Sequence, residues 1–200
     1  EIYEQPQALA ATFVAGGGHA VKDESFGEGA AKIFDQIETV QIVACGTSYH
    51  AGMVARYWLE ELAGVPCEVE VASEFRYRKR VQHEGTLLVM ISQSGETADT
   101  LAALRNAAEG EFVGSLVIAN VDNSSLVRES DLVFLTRAGA EIGVASTKAF
   151  TTQLVGLLML TIALGRRRGL PQEKKQELVN ALHALPDYVQ QTLELDGAIE

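Results

Sequence analysis

Cysteine is scarce in this chain: two in 200 residues, Cys45 and Cys67, with no C-x-x-C pair. That excludes a disulfide framework and fits a reducing, cytosolic setting. The histidines His19, His50, His83 and His183 are scattered without metal-ligand spacing, so neither a metal centre nor a cofactor is expected. Basic residues are also in deficit: 16 Lys and Arg stand against 27 Asp and Glu, a formal net charge of -11. A nucleic-acid backbone is held mainly through clustered Lys and Arg, so nucleic acid is not an expected partner. The one basic run, Arg166-Arg167-Arg168, follows a predicted helix and reads as a solvated helix end. No charged-then-apolar leader opens the chain. The longest apolar stretch, Leu154 to Leu164, carries Gly156 and Thr161, is too short to span a bilayer, and reads as a buried helix with no membrane role.

What is present suits one sizeable α/β domain with a proper core, since 47% of the residues are hydrophobic. A helix is expected from Glu1 to about Val14, with Pro6 tolerable in its first turn. Gly16-Gly17-Gly18 then makes a turn, with no strand before it to support a nucleotide loop. A short helix follows from about Glu28 to Ile37. From Val40 the pattern alternates. Strands are expected at Val40–Ala44, Glu68–Ala72, Thr86–Ile91, Val113–Asn120 and Leu132–Leu135. Helices are expected at Ser48–Leu62, Glu96–Ala108, Ser124–Ser130, Ser146–Arg167 and Gln172–Leu195, with a polar or short helical connection at Ser73–Arg80. Apolar strands separated by helices indicate a parallel sheet covered on both faces, hence a three-layer αβα sandwich.

Two stretches repeat one design, an apolar run followed by a hydroxyl- and glycine-rich loop and a helix. They are Ile42 to Ser48, carrying Cys45-Gly46-Thr47-Ser48, and Leu88 to Thr97, carrying Ser92-Gln93-Ser94-Gly95-Glu96-Thr97. Such a loop aims unpaired backbone N–H groups at one spot, and hydroxyls add donors. Helix capping explains one such hydroxyl, with Ser94 as the candidate N-cap and Thr97 in the first turn. It does not explain Ser92, Ser94 and Thr97 together with Thr47-Ser48. A third segment, Ala140 to Lys148, offers Gly143 and Ser146-Thr147 as donors, with Glu141 solvated on the capping reading. None of these loops supplies an arginine fork. The expected ligand is a small phosphorylated metabolite held by N–H groups, hydroxyls and helix dipoles. G-x-S-x-G, P-loop and G-x-G-x-x-G turns are lacking, and Cys45 has no indicated histidine partner, so it reads as a small buried residue. Glu74-Phe75-Arg76-Tyr77-Arg78 reads as a surface or packing segment.

These motifs, with Ala72-Ser73-Glu74-Phe75-Arg76-Tyr77 and Glu141-Ile142-Gly143-Val144-Ala145-Ser146-Thr147-Lys148-Ala149-Phe150, closely resemble the glutamine–fructose-6-phosphate aminotransferases, also called glucosamine-6-phosphate synthases. Glu1-Ile2-Tyr3-Glu4-Gln5-Pro6 is similar to the segment opening their isomerase region. The resemblance implies a sugar isomerase (SIS) domain with a five-stranded, flavodoxin-like parallel sheet. It divides the chain into a helical segment at residues 1–38, the SIS domain at 39–170, and a helix at 171–200 leading to a second SIS module.

By the same resemblance, Ser92, Gln93, Ser94 and Thr97 would hold a sugar phosphate, with Ser48 assisting. Cys45, Gly46 and Thr47 would face the sugar, with Val144, Ala145 and Ser146 lining its other side and Glu141 close by. The ligands would be fructose 6-phosphate and glucosamine 6-phosphate. No residue matches the family's catalytic set, which lies in a glutaminase domain and a second SIS module beyond these 200 residues. The chain alone is expected to bind sugar phosphate weakly without turning it over, and to be cytoplasmic. A homodimer is expected, because SIS modules pair and an apolar helix from Ala149 to Leu164 needs covering. The alternative is a non-catalytic SIS-type sugar-phosphate sensor, although such regulators carry a helix-turn-helix module not found here.

Overall fold

The five apolar runs become five parallel strands in the computed structural model, which describes residues 1–81, 83–107 and 111–199. They are β1 (Thr39–Ala44), β2 (Cys67–Val71), β3 (Thr86–Ser92), β4 (Gly114–Ala119) and β5 (Leu132–Leu135). Their order in the sheet is β2-β1-β3-β4-β5, the flavodoxin-like arrangement. Burial follows position. Every residue of the central β3 is buried, whereas on the edges buried and half-buried residues alternate along β5 and only Cys67 of β2 is buried. The two-residue strand period divides the core: Leu87, Val89 and Ile91 face one layer of helices, and Leu88 and Met90 face the other.

The helices are α1 (Gln5–Ala15), α2 (Ala30–Phe34), α3 (Gly46–Ala63), α4 (Ala72–Phe75), α5 (Ala98–Arg105), α6 (Ser125–Glu129), α7 (Lys148–Gly165), α8 (Gln172–Leu193) and α9 (Asp196–Ile199). One layer holds α3 and α7 against the sheet, with α1 and α8 outside them. The other holds α4, α5 and α6, with Phe75, Ala103 and Leu126 buried against Val43, Met90 and Val117. The helices that follow strands cover both faces, giving the three layers.

Several boundaries differ from the sequence expectation. α3 starts at Gly46, two residues early, so Thr47 and Ser48 lie in its first turn. α5 starts at Ala98, which makes Thr97 its N-cap in place of Ser94. That helix ends at Arg105, and its expected end at Ala108 lies outside the described residues. α2 is shorter at both ends, α7 spans Lys148–Gly165, and α8 stops at Leu193. Of the connection Ser73–Arg80, only the start is helical, in α4.

Two readings of composition need correction. Arg166-Arg167-Arg168 is more than a solvated end: Arg166 and Arg168 are exposed, yet the run ties the N-terminal segment to the end of α7. The Arg167 guanidinium donates to both Asp23 carboxylate oxygens at 3.0 and 2.8 Å and to Asp35 at 2.7 Å. Arg166 donates to the Val21 carbonyl at 3.0 Å, and Arg168 to that of Ile37. The spacing of an arginine run says nothing about carboxylates 130 residues away in sequence, as the 130 between Arg168 and Glu38 illustrates.

The apolar helix, in turn, needs no second chain to cover it. α7 is the one helix among the described residues long and apolar enough to cross a membrane, but 78% of it is buried inside the fold, against the sheet, α3, α1 and α8. Gly16, in the glycine-rich turn after α1, is the close-contact point here, because a Cβ there would lie 2.5 Å from Met159 Cε on α7. Across the outer layer, His19 and His183 meet with ring centroids 4.6 Å apart, a pair invisible in the sequence.

Close helix–sheet contact has a measurable consequence. A Cβ at Gly156 would lie 2.8 Å from Phe134 Cε1 and 3.5 Å from Ile118 Cγ2. Gly156→Val is therefore expected to destabilise the chain by about 2–3 kcal/mol through overpacking, read as a lower urea midpoint. The buried Cys67 thiol has its pKa pushed by desolvation to about 12. An alkylating agent at pH 8 should modify the half-buried Cys45 and spare Cys67, checked by peptide mass mapping.

Candidate functional site

The strand order reverses between β1 and β3, and parallel α/β sheets bind ligands in the crevice beyond the carboxyl ends at such a switch point. β1 and β3 are in register, with Ala44 beside Ile91, so Cys45 and Ser92 leave the sheet as neighbours. The two hydroxyl-rich loops read from the sequence are therefore juxtaposed by the strand pairing itself.

The first is a tight turn. Cys45 is extended, Gly46 takes φ +58°, and α3 begins at once. No side chain caps this helix, so the first-turn N–H groups of Gly46, Thr47 and Ser48 have no intrahelical acceptor. Ser48 is buried, Cys45 half-buried, and Gly46 and Thr47 are exposed.

The second loop is held by its own hydroxyls. Ser92 Oγ and Thr97 Oγ1 share a hydrogen bond of 2.8 Å, and the Gly95 N–H donates to Ser92 Oγ at 3.0 Å. The Glu96 N–H donates to Ser94 Oγ at 3.1 Å. Within the Ser92–Thr97 pair one proton is used and the other hydroxyl proton is left over, as is that of Ser94, so the loop keeps donors while its shape is fixed. Gln93 anchors it to the next strand, its carbonyl accepting the Asn120 N–H at 3.1 Å.

Gly95 is irreplaceable on two counts. It adopts φ +66°, and a Cβ there would fall 2.0 Å from Ser124 Oγ. Its carbonyl also accepts the Leu126 N–H at 3.1 Å, seating the loop on the start of α6. Glu96 looks misplaced in a loop suited to anions, but its carboxylate is turned away. It accepts the Ser125 N–H at 2.6 Å, which holds its pKa below the usual carboxylate range.

The third loop behaves differently from the sequence expectation. Glu141 is not solvated: one oxygen accepts the Ser146 hydroxyl at 3.0 Å, and the other accepts the N–H groups of Thr147 at 2.8 Å and Ala149 at 3.2 Å. The Gly143 N–H is taken by the Glu1 carboxylate at 3.0 Å. The donors expected to face a ligand here already serve carboxylates of the chain, which as charged acceptors at a helix start are their strongest available partners. Ile142 and Val144 project into solvent at 89% and 106% relative exposure.

An open cleft of about 660 Å³ joins the second and third loops, lined by Gln93, Asn120, Thr136, Arg137, Gly139 and Glu141 among others. Asn120, at the end of β4, builds its wall by donating to the Gly139 carbonyl at 2.7 Å and accepting the Ala138 N–H at 2.9 Å. Arg137, between β5 and the third loop, is exposed on the cleft without an ion-pair partner among the described residues, although none of the three loops carries an arginine. Sequence reasoning missed it because a lone Arg two residues past a strand has no motif. Asn120 stood in plain sight at a strand's carboxyl end. A second cavity of about 340 Å³, lined by Leu9, Trp58, Leu154, Leu158, Leu182 and Leu185 among others, is nearly all apolar and suits no anion. Among the described residues no group of three or more His, Cys, Asp or Glu is placed to hold a metal.

This geometry has known counterparts. Over its full length, the chain is 62% identical to glutamine–fructose-6-phosphate aminotransferase [isomerizing] of Idiomarina loihiensis, covering 33% of that protein. It is 62% identical over its full length to the enzyme of the same name from Pseudomonas syringae pv. tomato, again 33% of it. The chain thus spans about a third of the length of these curated relatives, 33% in each case. Among solved structures it is similar to the C-terminal domain of glucosamine-fructose-6-phosphate aminotransferase from Francisella tularensis, with TM-score 0.95 and 49% identity over 99% of this chain and 56% of that one. It is also similar to glucosamine-6-phosphate deaminase from Thermotoga maritima, with TM-score 0.66 and 25% identity over 90% of this chain and 51% of that one. The family model described as SIS domain matches residues 33–163, the sheet with its surrounding helices, and the chain belongs to the SIS domain family.

Proposed function

We propose that this chain is the sugar-phosphate-binding half of the isomerase region of an enzyme making glucosamine 6-phosphate from fructose 6-phosphate and glutamine. The observation that carries the reading is the pairing of two donor-rich, helix-opening loops at the β1/β3 switch point. The 62% identity to aminotransferases of that name supports fructose 6-phosphate as the ligand.

In this reading the phosphate dianion sits over Ser92, Gln93, Ser94 and Thr97, with Ser48 reaching from α3. It is held by hydroxyls, backbone N–H groups and the positive ends of α3 and α5. The sugar extends past Cys45, Gly46 and Thr47 and meets Val144, Ala145 and Ser146 on its other side, with Glu141 fixing that wall. Moving a proton between C1 and C2 of the ketose requires a general base of suitable pKa. The hydroxyls here are too weak as bases, and Glu141 already accepts three hydrogen bonds. The catalytic groups, the release of ammonia from glutamine, a second SIS module and homodimer pairing accordingly belong to the whole protein, a cytoplasmic enzyme. Residues 1–38 and 171–200 would then be the helical entry to the SIS domain at 39–170 and the exit toward its second module.

A titration with fructose 6-phosphate, followed by amide chemical shifts, tests this. The wild-type chain should saturate with shifts centred on residues 45–48 and 92–97. Ser94→Ala/Thr97→Ala should weaken binding about a hundredfold, the order expected for two lost hydrogen bonds to a charged group. An equal response to unphosphorylated fructose, or undiminished binding by the double variant, would overturn the reading. So would synthase turnover by the purified chain. Gly95→Ala should abolish the response and lower stability by about 1–3 kcal/mol, the combined cost of a left-handed non-glycine residue and the clash with Ser124, measured by urea unfolding.

A further inference from the structure

The loop from Ile142 to Ala145 has an unusual mechanical problem. It is exposed throughout, Val144 completely so, and no apolar burial gives it a shape. Its conformation rests on carboxylates. Glu141 holds the C-terminal side, as described above. The N-terminal side is held from the other end of the chain, where the Glu1 carboxylate accepts the N–H groups of both Ile142 and Gly143. Three residues later, Glu4 accepts a hydrogen bond from Lys148 Nζ at 2.6 Å.

Lys148 makes the second contact more than incidental. It is the first residue of α7 and only 4% exposed. A cation at a helix N-terminus works against the helix dipole, and burial raises its cost further, so the position needs a carboxylate partner. Glu4 supplies it, and in doing so pins the start of α1 to the start of α7. Both carboxyls are held below the usual range, Glu1 chiefly by the Ile142 and Gly143 N–H groups and Glu4 chiefly by Lys148. Both also lie outside residues 33–163, the part matched by the SIS domain model, whereas the loop they hold lies inside it. The strap is an addition to the domain, applied to one wall of its site.

We propose that Glu1 and Glu4 are positioning residues that set the sugar-facing wall, Val144-Ala145-Ser146, while leaving the phosphate grip at Ser92–Thr97 untouched. This rests on the sugar-phosphate reading given above and deepens it. The SIS sheet supplies a phosphate cradle, and the N-terminal strap converts it into a site that also reads the sugar. Neither carboxylate touches the ligand.

The two halves of the site give the test its discrimination. The intact chain and three variants, Glu1→Ala, Glu1→Gln and Glu4→Ala, are titrated with fructose 6-phosphate and separately with inorganic phosphate, followed by amide chemical shifts. Glu1→Ala and Glu4→Ala should each weaken fructose 6-phosphate binding about tenfold, with the affinity for inorganic phosphate unchanged. Glu1→Gln, which keeps an acceptor oxygen, should recover most of the loss, and the Ile142 and Gly143 amide signals should move in Glu1→Ala and return toward their wild-type positions in Glu1→Gln. Wild-type affinity for fructose 6-phosphate in both alanine variants would overturn the proposal. An equal fall for both ligands would do so too, because it would show a strap supporting the whole fold. A wild-type chain that binds phosphate and ignores the sugar would instead overturn the proposed function. Should one alanine variant fail to fold, the other and Glu1→Gln still decide the matter.

Discussion

Parallel pairing of β1 with a strand on either side is the constraint from which the site follows. β2 comes after β1 in the chain and lies on one flank; β3 comes next and lies on the other. The chain therefore doubles back at β1, and the helices after β1 and β3 go to opposite faces, α3 to one and α5 to the other. Between their starting points the sheet's carboxyl edge is left open, with two sets of helix-opening N–H groups side by side. Register keeps them level: Ala44 stands beside Ile91, and Ser92 beside Ala119. A one-residue slip would carry every core side chain of β3 to the wrong layer. Burying Leu87, Val89 and Ile91 on one face thus also fixes the height of Ser92.

An acidic protein suited to an anion poses an electrostatic problem, which this chain meets by occupying its carboxylates. Glu1, Glu4, Glu96 and Glu141 all lie in or against the loops of the site. Each accepts backbone N–H groups, a hydroxyl or an ammonium. Glu96 and Glu141 are drawn toward helix starts, Glu4 toward a cation and Glu1 toward the loop N–H groups of Ile142 and Gly143. The same groups give the loops their rigidity, so repulsion toward a ligand is reduced by the bonds that shape the pocket.

Much of the sheet was legible because buried parallel strands read as short continuous apolar runs bounded by turn residues. Leu132–Leu135 matched to the residue, and the other strands differ by one residue at one end or at both. Helix starts were less legible. Ser94 has the composition of an N-cap, yet its hydroxyl serves the Glu96 N–H within the loop, and Thr97 takes the boundary. Local chemistry could not decide between two hydroxyls three residues apart, because seating Gly95 on Ser124 and Leu126 at the start of α6 decides it from elsewhere in the chain. The donor loops at Cys45–Ser48 and Ser92–Thr97 were readable for a related reason: their spacing is local. The roles of Glu141, Arg137 and the arginine run were not, since each depends on what the fold brings from far along the chain.

The central position of α7 bears on how this chain reaches its native state. The helix packs against α3, about a hundred residues earlier in the chain, and against α1 near the chain start, and 14 of its 18 residues are buried. Its partners are thus non-local, and loop closure must precede their reward. Until α3 and the sheet are in place, α7 is an uncovered greasy rod of membrane-like character, the segment most exposed to self-association or chaperone capture. A helix that reads as harmless interior in the finished protein is the main hazard of its assembly.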